Sequence, residues 1–280
     1  SSYSLDSLQN QTLKLSLEKL AEHIYCISGA GGNIAVLKGQ NQLLLVDAAY
    51  VRTTEEIKQK LKQISSRPVT ILINTHYHGD HTGGNAILGK EAQIISHKNC
   101  KASLLRNLKE DKNPESIGAP NKTFDKEMNI KVNNGAENVK LLHFGPGHTA
   151  GDTVVIFESS KILHAGDLFF NGIAPYIVVR DGSDTKNWIK TIHTLAKLYP
   201  DYKVIPGHGP VTDMKTFLKF AGYLKYLRDE VVKAIKAGKS KKETIESIDL
   251  SQYNHITEMG KFLTKKNNIA WIFDELSKPK

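Results

Sequence analysis

Short apolar runs separated by glycine-bearing turns dominate the early part of the chain. Ile24-Tyr25-Cys26-Ile27, Asn33-Ile34-Ala35-Val36-Leu37 and Leu43-Leu44-Leu45-Val46-Asp47 each have a strand's length, and together they predict an antiparallel meander. From Thr53 to Ile64 the period changes. Ile57, Leu61 and Ile64 recur at helical spacing among lysines and glutamates, an amphipathic helix. The β-branched run Val69-Thr70-Ile71-Leu72-Ile73-Asn74 then reads as a buried strand, and Gln93-Ile94-Ile95-Ser96 as a shorter one leading into a helix over 97–108. Two prolines and a glycine between Glu110 and Asn121 predict a surface loop that could edge an active site. Strands resume from Lys131 to Leu142 around the turn signal Asn133-Asn134-Gly135, and Thr153–Phe157 with Lys161–Asp167 form a hairpin-like pair. Asp184 caps a helix to Leu198 that puts Trp188, Ile189, Ile192, Leu195 and Leu198 on one face. Beyond Asp213 the pattern is helical to the end. Phe217, Phe220, Leu224 and Leu227 form one apolar stripe, and Ala270, Ile272, Phe273 and Leu276 belong to the last helix. These helices could pack on the domain, cap a pocket or meet another subunit; the stripe reads as core before interface, and no dedicated chemistry is legible there.

The histidines fall where strands end. In Thr75-His76-Tyr77-His78-Gly79-Asp80-His81-Thr82-Gly83-Gly84-Asn85, three imidazoles and a carboxylate lie within six residues. His76 and His78 are two apart, so an extended segment projects both rings to one side; Gly79 then turns the chain toward Asp80 and His81. One loop can thus serve two neighbouring metals. Imidazole nitrogen with carboxylate oxygen and no thiolate suits zinc first, with iron or manganese as further candidates. Exposed loop histidines are the plainer reading, and so dense a cluster argues against it. Phe144-Gly145-Pro146-Gly147-His148-Thr149-Ala150-Gly151-Asp152 offers His148 as the natural partner of His76 and His78. Asp167, beside Gly166, is a further strand-end candidate, and His208 stands between glycines after the run Lys203-Val204-Ile205-Pro206. Asp47, closing an apolar strand, either forms a turn or orients a metal ligand, the latter being favoured because ligands need such a partner. His97 reads as helix-terminal, His143 as core or rim, and His164 as structural.

Composition excludes more than it adds. The 280 residues, 40% of them hydrophobic, allow one large domain with a full core or a domain with an appendage. No run of eighteen apolar residues exists, so no membrane span is expected, and no basic-then-apolar secretory segment is present. The start Ser1-Ser2-Tyr3 fits either a trimmed chain or a mature one whose signal has been removed. The net charge of +9 is largely lysine, much of it late in the chain, as at Lys233, Lys236, Lys239, Lys241 and Lys242. Solvated helix faces account for it better than a nucleic-acid surface, which would mix in arginine and aromatic residues. Cys26 and Cys100 define no disulfide framework and no ligand-spaced pair.

The order His76-x-His78-x-Asp80-His81, then His148, Asp167 and His208, resembles the metallo-β-lactamase superfamily, over residues 20 to 212 and including Asp47 and the Gly31-Gly32-Asn33 turn. The resemblance implies an α/β (α+β) four-layer αββα sandwich with metals in a groove at one edge. It divides the chain into a catalytic domain over 1–212 and C-terminal helices over 213–280 packed on it. It implies two zinc ions per chain, the first on His76, His78 and His148, the second on Asp80, His81 and His208, with Asp167 bridging. A hydroxide shared by the metals would attack the substrate, and Asp80 would orient it and pass a proton toward the leaving group.

Departures from the family pattern narrow the substrate. Efficient β-lactamases of this family usually place cysteine or serine where this chain has Asp167, and one group adds a lysine three positions later, where this chain has Phe170. The ligand set looks more like the glyoxalase II, lactonase and general hydrolase branches. The expected function is hydrolysis of an ester, thioester, lactone or amide, with β-lactam turnover weak at most. The alternatives are an iron-dependent oxidoreductase on the same scaffold, such as a persulfide dioxygenase, and a phosphodiesterase. Phe169, Phe170 and Tyr176 are expected in an apolar pocket wall, with core as the alternative for one of them; Arg180 is the nearest cation in sequence. A small-molecule substrate is expected and oligomeric state is left open. The run Gly166-Asp167-Leu168-Phe169-Phe170-Asn171-Gly172 with Pro175-Tyr176 resembles exported hydrolases of the superfamily, which implies a periplasmic or secreted location, with the cytoplasm as alternative.

Overall fold

The computed structural model describes residues 14–108, 113–133 and 137–277. A seven-stranded sheet follows sequence order: β1 (Ser16–Lys19), β2 (Ile24–Ser28), β3 (Ile34–Lys38), β4 (Leu43–Val46), β5 (Val69–Ile73), β6 (Gln93–His97) and β7 (Lys122–Phe124). Its early strands pair antiparallel, as the meander pattern predicts. From β4 onward the pairing is parallel, which requires crossovers. The helix α1 (Thr54–Ile64) makes the first; α2 (Gly79–Thr82) and α3 (Asn85–Leu88) make the second, and α4 (Lys98–Arg106) the third.

The six-stranded second sheet holds β8 (Glu127–Val132), β9 (Glu137–Leu142), β10 (Val154–Phe157), β11 (Ile162–Phe170), β12 (Lys203–His208) and β13 (Thr212–Asp213) in the order β13-β12-β11-β10-β9-β8. Strands β11 and β12 are parallel and are joined through α5 (Thr185–Leu198). The chain then continues into α6 (Met214–Lys236), α7 (Lys241–Ser247) and α8 (Lys265–Ser277).

Side-chain alternation along the strands creates the layers. In β3 and β4, Ile34, Val36, Leu43 and Leu45 pack with Ile57, Leu61 and Ile64 of α1 and Leu88 of α3. Their neighbours Ala35, Leu37, Leu44 and Val46 turn the other way, onto Val139, Leu141, Val155 and Phe157 of the second sheet. The far face of that sheet, with Val154, Ile156 and Leu163, is covered by Trp188, Ile192 and Leu195 of α5 and by α6 and α8. Strands buried on both faces read as continuous apolar runs, as these do. The result is an α/β sandwich of helix, sheet, sheet and helix, with the C-terminal helices extending the outer layer.

Phe217, Leu224 and Leu227 of α6 are wholly buried, and Phe220 nearly so. At roughly 1.5–3 kcal/mol per large apolar side chain removed from water, this stripe belongs to the core.

Two expectations change. Residues 248–264 are not α-helical: Asp249 accepts from Ser251 N at 2.9 Å, a 3-10 turn follows at Ser251–Tyr253, and Gly260 has φ 60. Asp167 lies inside β11 rather than at its end, because the strand runs on to Phe170 through a register irregularity at Gly166. The described part of the expected surface loop is exposed over residues 113–116 and then packs on α3, where Asn85 Nδ2 donates to the Gly118 carbonyl at 3.0 Å; residues 109–112 and the Asn134-Gly135 turn lie outside the described residues.

Candidate metal centre

Strand β5 delivers the first histidines, and the residues just after it are pinned before they arrive. Asn74 N donates to the Ile95 carbonyl at 2.9 Å, and Asn74 and Asn85 exchange side-chain hydrogen bonds of 3.0 and 2.8 Å. Thr75 donates from N and Oγ1 to the Asp47 carboxylate at 2.8 and 2.7 Å. His76 therefore leaves the strand at a fixed angle. The short helix α2 then displays Asp80 and His81 on its first turn.

Asp47 fixes His81 as well. Its Oδ2 accepts from His81 Nδ1 at 2.7 Å, which selects the tautomer whose Nε2 faces the centre. Its own backbone has φ 67, a left-handed conformation that aspartate tolerates better than most residues. Gly32 lies directly over the ring: a Cβ there would overlap His81. The Gly31-Gly32-Asn33 turn can approach only because it lacks side chains at this point.

The second sheet supplies the rest. His148 sits in the loop after β9, held by Asp152, whose carboxylate accepts from Thr149 N at 3.1 and 3.0 Å and from Thr149 Oγ1 at 2.6 Å. The His148 ring is boxed by Trp188 and Phe170, with centroids at 5.5 and 5.7 Å. Asp167 projects from the irregular part of β11, where Gly166 takes φ 53. Gly207 must be a glycine to make room, since a Cβ there would overlap Asp167 Oδ1. His208 ends β12, and Phe170 stacks on its ring with centroids 5.2 Å apart. Asn33 ties this strand end to the first sheet, donating from Nδ2 to the carbonyls of Pro206 at 2.9 Å and Gly209 at 2.8 Å.

These placements gather all seven predicted residues into two groups. His76, His78, His148 and Asp167 form one and Asp80, His81 and His208 the other, the donor atoms within each lying within 4.8 Å of one another. Asp167 faces both. Its Oδ2 is 3.5 Å from His76 Nε2 and 3.4 Å from His148 Nε2, while Oδ1 is 3.1 Å from His81 Nε2 and 3.4 Å from His208 Nε2. Asp80 Oδ2 lies 3.0 Å from His208 Nε2. His78, Asp80 and His208 are only half-buried, so the centre opens on their side.

The electrostatics differ between the groups. Burial pushes the imidazoles of His78 and His148 down to about 4 and about 3, and it lowers His76 too, which favours the neutral ring that can ligate a cation. Burial also opposes charge on His208, yet Asp167 and Asp80 outweigh it and raise the ring to about 9. His81 is raised in the same way by Asp167, Asp80 and Asp47. Burial would raise Asp167, but His81, His208 and His76 hold it well below the carboxylate range. Converging imidazole nitrogens and carboxylate oxygens without sulfur are a donor set for a divalent cation such as zinc, and entry of a cation beside His81 and His208 would release protons.

Asp47 orients a ligand as favoured from its position. His97 caps α4, its Nδ1 accepting from Asn99 N at 3.2 Å. His164 is structural, its Nε2 3.0 Å or less from a backbone partner: it meets the Asn33 carbonyl at 2.9 Å. Phe169 is core, stacked on Phe217 at 4.5 Å, and Arg180 is exposed. Sequence reasoning missed two roles. Asp152 supports the His148 loop, a part that its place four residues after a histidine between turn formers could have signalled. Phe262 and Trp271, which stand 5.1 and 5.3 Å from Tyr176 beside the centre, carried no such signal.

Comparison with known proteins agrees with this architecture. A type 2 metallo-beta-lactamase of Bacillus sp. (strain 170) is 27% identical over 228 residues, covering 78% of this chain and 85% of the relative. The solved metallo-beta-lactamase from Pontibacter korlensis superposes with a TM-score of 0.64 at 23% identity, over 76% of this chain and 99% of that one. A stereoselective inverting sec-alkylsulfatase from Pseudomonas sp. superposes with a TM-score of 0.74 at 13% identity, over 94% of this chain and 50% of that one, so shared fold reaches into the C-terminal helices. The family model of the metallo-beta-lactamase superfamily matches residues 28–208, which hold both sheets' donors from His76 to His208, and the chain belongs to that superfamily.

Proposed function

We propose that this protein is a dinuclear metal-dependent hydrolase, with zinc as the first candidate metal, that cleaves an ester, thioester, lactone or amide. The observation that carries the reading is the Asp167 carboxylate, which turns one oxygen to each of two adjacent donor groups. His76, His78 and His148 would hold one ion, Asp80, His81 and His208 the other, and Asp167 both. The chemistry that such a pair of cations supplies is acidification of water and neutralisation of charge developing on a carbonyl oxygen. Asp80, on the open side, is placed to orient a water and to hand a proton toward the leaving group. No serine or cysteine nucleophile is needed.

The relatives named metallo-beta-lactamases make β-lactams the second class to test. A β-lactam carboxylate calls for a cation near His208, and Phe170 occupies that place while Arg180 points to solvent. Esters or lactones should therefore exceed penicillins and carbapenems in kcat/KM by at least roughly tenfold, or about 1.4 kcal/mol in transition-state stabilisation. Side-by-side kinetics on zinc-loaded protein test this, together with elemental analysis of protein purified without added metal. Efficient carbapenem hydrolysis with negligible esterase or lactonase activity would overturn the substrate assignment. Iron as the native metal, with oxygen consumption in place of hydrolysis, would overturn the reaction class.

A further inference from the structure

The segment between α7 and α8 ends in a small hairpin that exposes two large apolar side chains alongside Glu258 and Lys261. Met259 and Leu263 pair through backbone hydrogen bonds of 2.9 and 3.2 Å, with Gly260 in the left-handed region at the turn. Met259 is 52% exposed and Phe262 56%, two of only four large hydrophobic side chains more than half exposed among the described residues. An isolated exposed aromatic is ordinary, but the Phe262 ring is joined through Tyr176 to the donor groups.

The hairpin is firmly seated. Thr257 N donates to the Gly172 carbonyl at 2.8 Å and Ala174 N to the Thr257 carbonyl at 2.9 Å, which fastens it to the chain that leaves β11 just beyond Asp167. Asn267 Nδ2 donates to the carbonyls of Lys261 and Phe262 at 3.1 and 2.6 Å, and Asn268 Nδ2 to the Pro175 carbonyl at 2.6 Å. Phe262 is therefore exposed while its backbone is fixed, the arrangement of a preformed contact surface.

Its ring belongs to a cluster that reaches the donor groups. Phe262 and Trp271 lie 5.3 Å apart, and both contact Tyr176. Tyr176 in turn lies 5.6 Å from His78 and 6.2 Å from His148. A molecule whose reacting group sits at the centre has an aromatic wall beside it that begins at Tyr176 and ends in solvent at Phe262.

We infer that this hairpin is a specificity arm, and that Phe262 with Tyr176 and Trp271 binds an extended apolar part, alkyl or aryl, of the substrate. The inference deepens the hydrolase reading and rests on it for the reaction. It assigns to the C-terminal segment the delivery of a substrate-binding residue to a centre whose donors lie on the two sheets and on the loops and short helix that follow their strands.

The test is Phe262→Ala, a change at an exposed side chain, in zinc-loaded full-length protein. The wild type should favour 4-nitrophenyl octanoate over the acetate in kcat/KM, and Phe262→Ala should reduce that ratio at least roughly fivefold, mainly through KM, as loss of uniform binding does. Leu198→Ala, an equally exposed apolar residue at the end of α5, should leave the ratio unchanged. A second readout needs no turnover: octanoate titrated into the protein by calorimetry should bind, Phe262→Ala should weaken that binding severalfold, and acetate should bind wild type and variant alike. An unchanged ratio in Phe262→Ala would overturn the arm. If the wild type cleaves neither ester, the ester branch of the hydrolase reading fails by itself, and the octanoate titration decides the arm: binding equal in wild type and variant, or absent from both, rejects it.

Discussion

His208 illustrates how much a single residue here depends on context. Its sequence signal is one histidine between glycines, yet β12 carries it to within 3.0 Å of Asp80 and 3.4 Å of Asp167, and Phe170 fixes the ring plane. Because it stands with the second donor group only, His208→Ala should remove one ion and spare the other. Loss of a supporting partner commonly costs about 10–100-fold in metal affinity, and loss of a ligand should cost more. Elemental analysis after dialysis should then fall from about two ions per chain toward one, and an unchanged count would refute the assignment. At this scale the sequence was most legible: three imidazoles and a carboxylate within six residues stand out, and the order of motifs shared with the family singles out His148, Asp167 and His208, so the seven residues that the fold brings together could be named before their positions were known. Tyr176 and Phe262 were harder, because an aromatic side chain is as useful in a core as in a pocket, and only the fold separates the two. Phe169 and Phe170 are adjacent, yet one stacks on Phe217 and the other on His208.

Among the elements, those with a clean period were read nearly to the residue, such as α1 and α5, whereas irregular ones were not. The bulge at Gly166 and the stretch 248–264, which is not α-helical, depend on long-range partners, Thr75 and Gly172 among them, which no local pattern contains. The start of α4 yields a prediction of its own. His97 caps it from a buried position, stacked on His143 at 3.6 Å, with Lys98 and Asp125 paired alongside. Burial, reinforced by His143, pushes the His97 ring down to about 4 from the ordinary 6.5. Since the unfolded chain takes up that proton first, the contribution of neutral His97 is complete above pH 6.5 and is lost as pH falls from 6.5 toward 4. His97→Asn retains a capping side chain and removes the titration. Its melting temperature should therefore drop less than that of wild type between pH 7 and pH 5, whatever the absolute values; equal drops would show that His97 does not titrate as described.

Across the whole molecule, the donors come from both sheets: His76, His78, Asp80 and His81 follow β5 of the first, while His148, Asp167 and His208 belong to the second. Ions held there would bind the folded sandwich and not the unfolded chain, and each would stabilise it by about 2.7 kcal/mol at a hundredfold excess over its Kd. Stripping them with a chelator should lower the melting temperature by several degrees, reversibly on adding zinc. A melt insensitive to chelation would mean that no ion spans the sheets. The same arrangement imposes an order in time. On a chain emerging from the ribosome, every donor of the first group exists once Asp167 has been made, but the second group waits until α5 has crossed over and β12 has brought out His208. An ion captured during synthesis would enter beside His76, and the other position could be filled only after nearly the whole sandwich had closed.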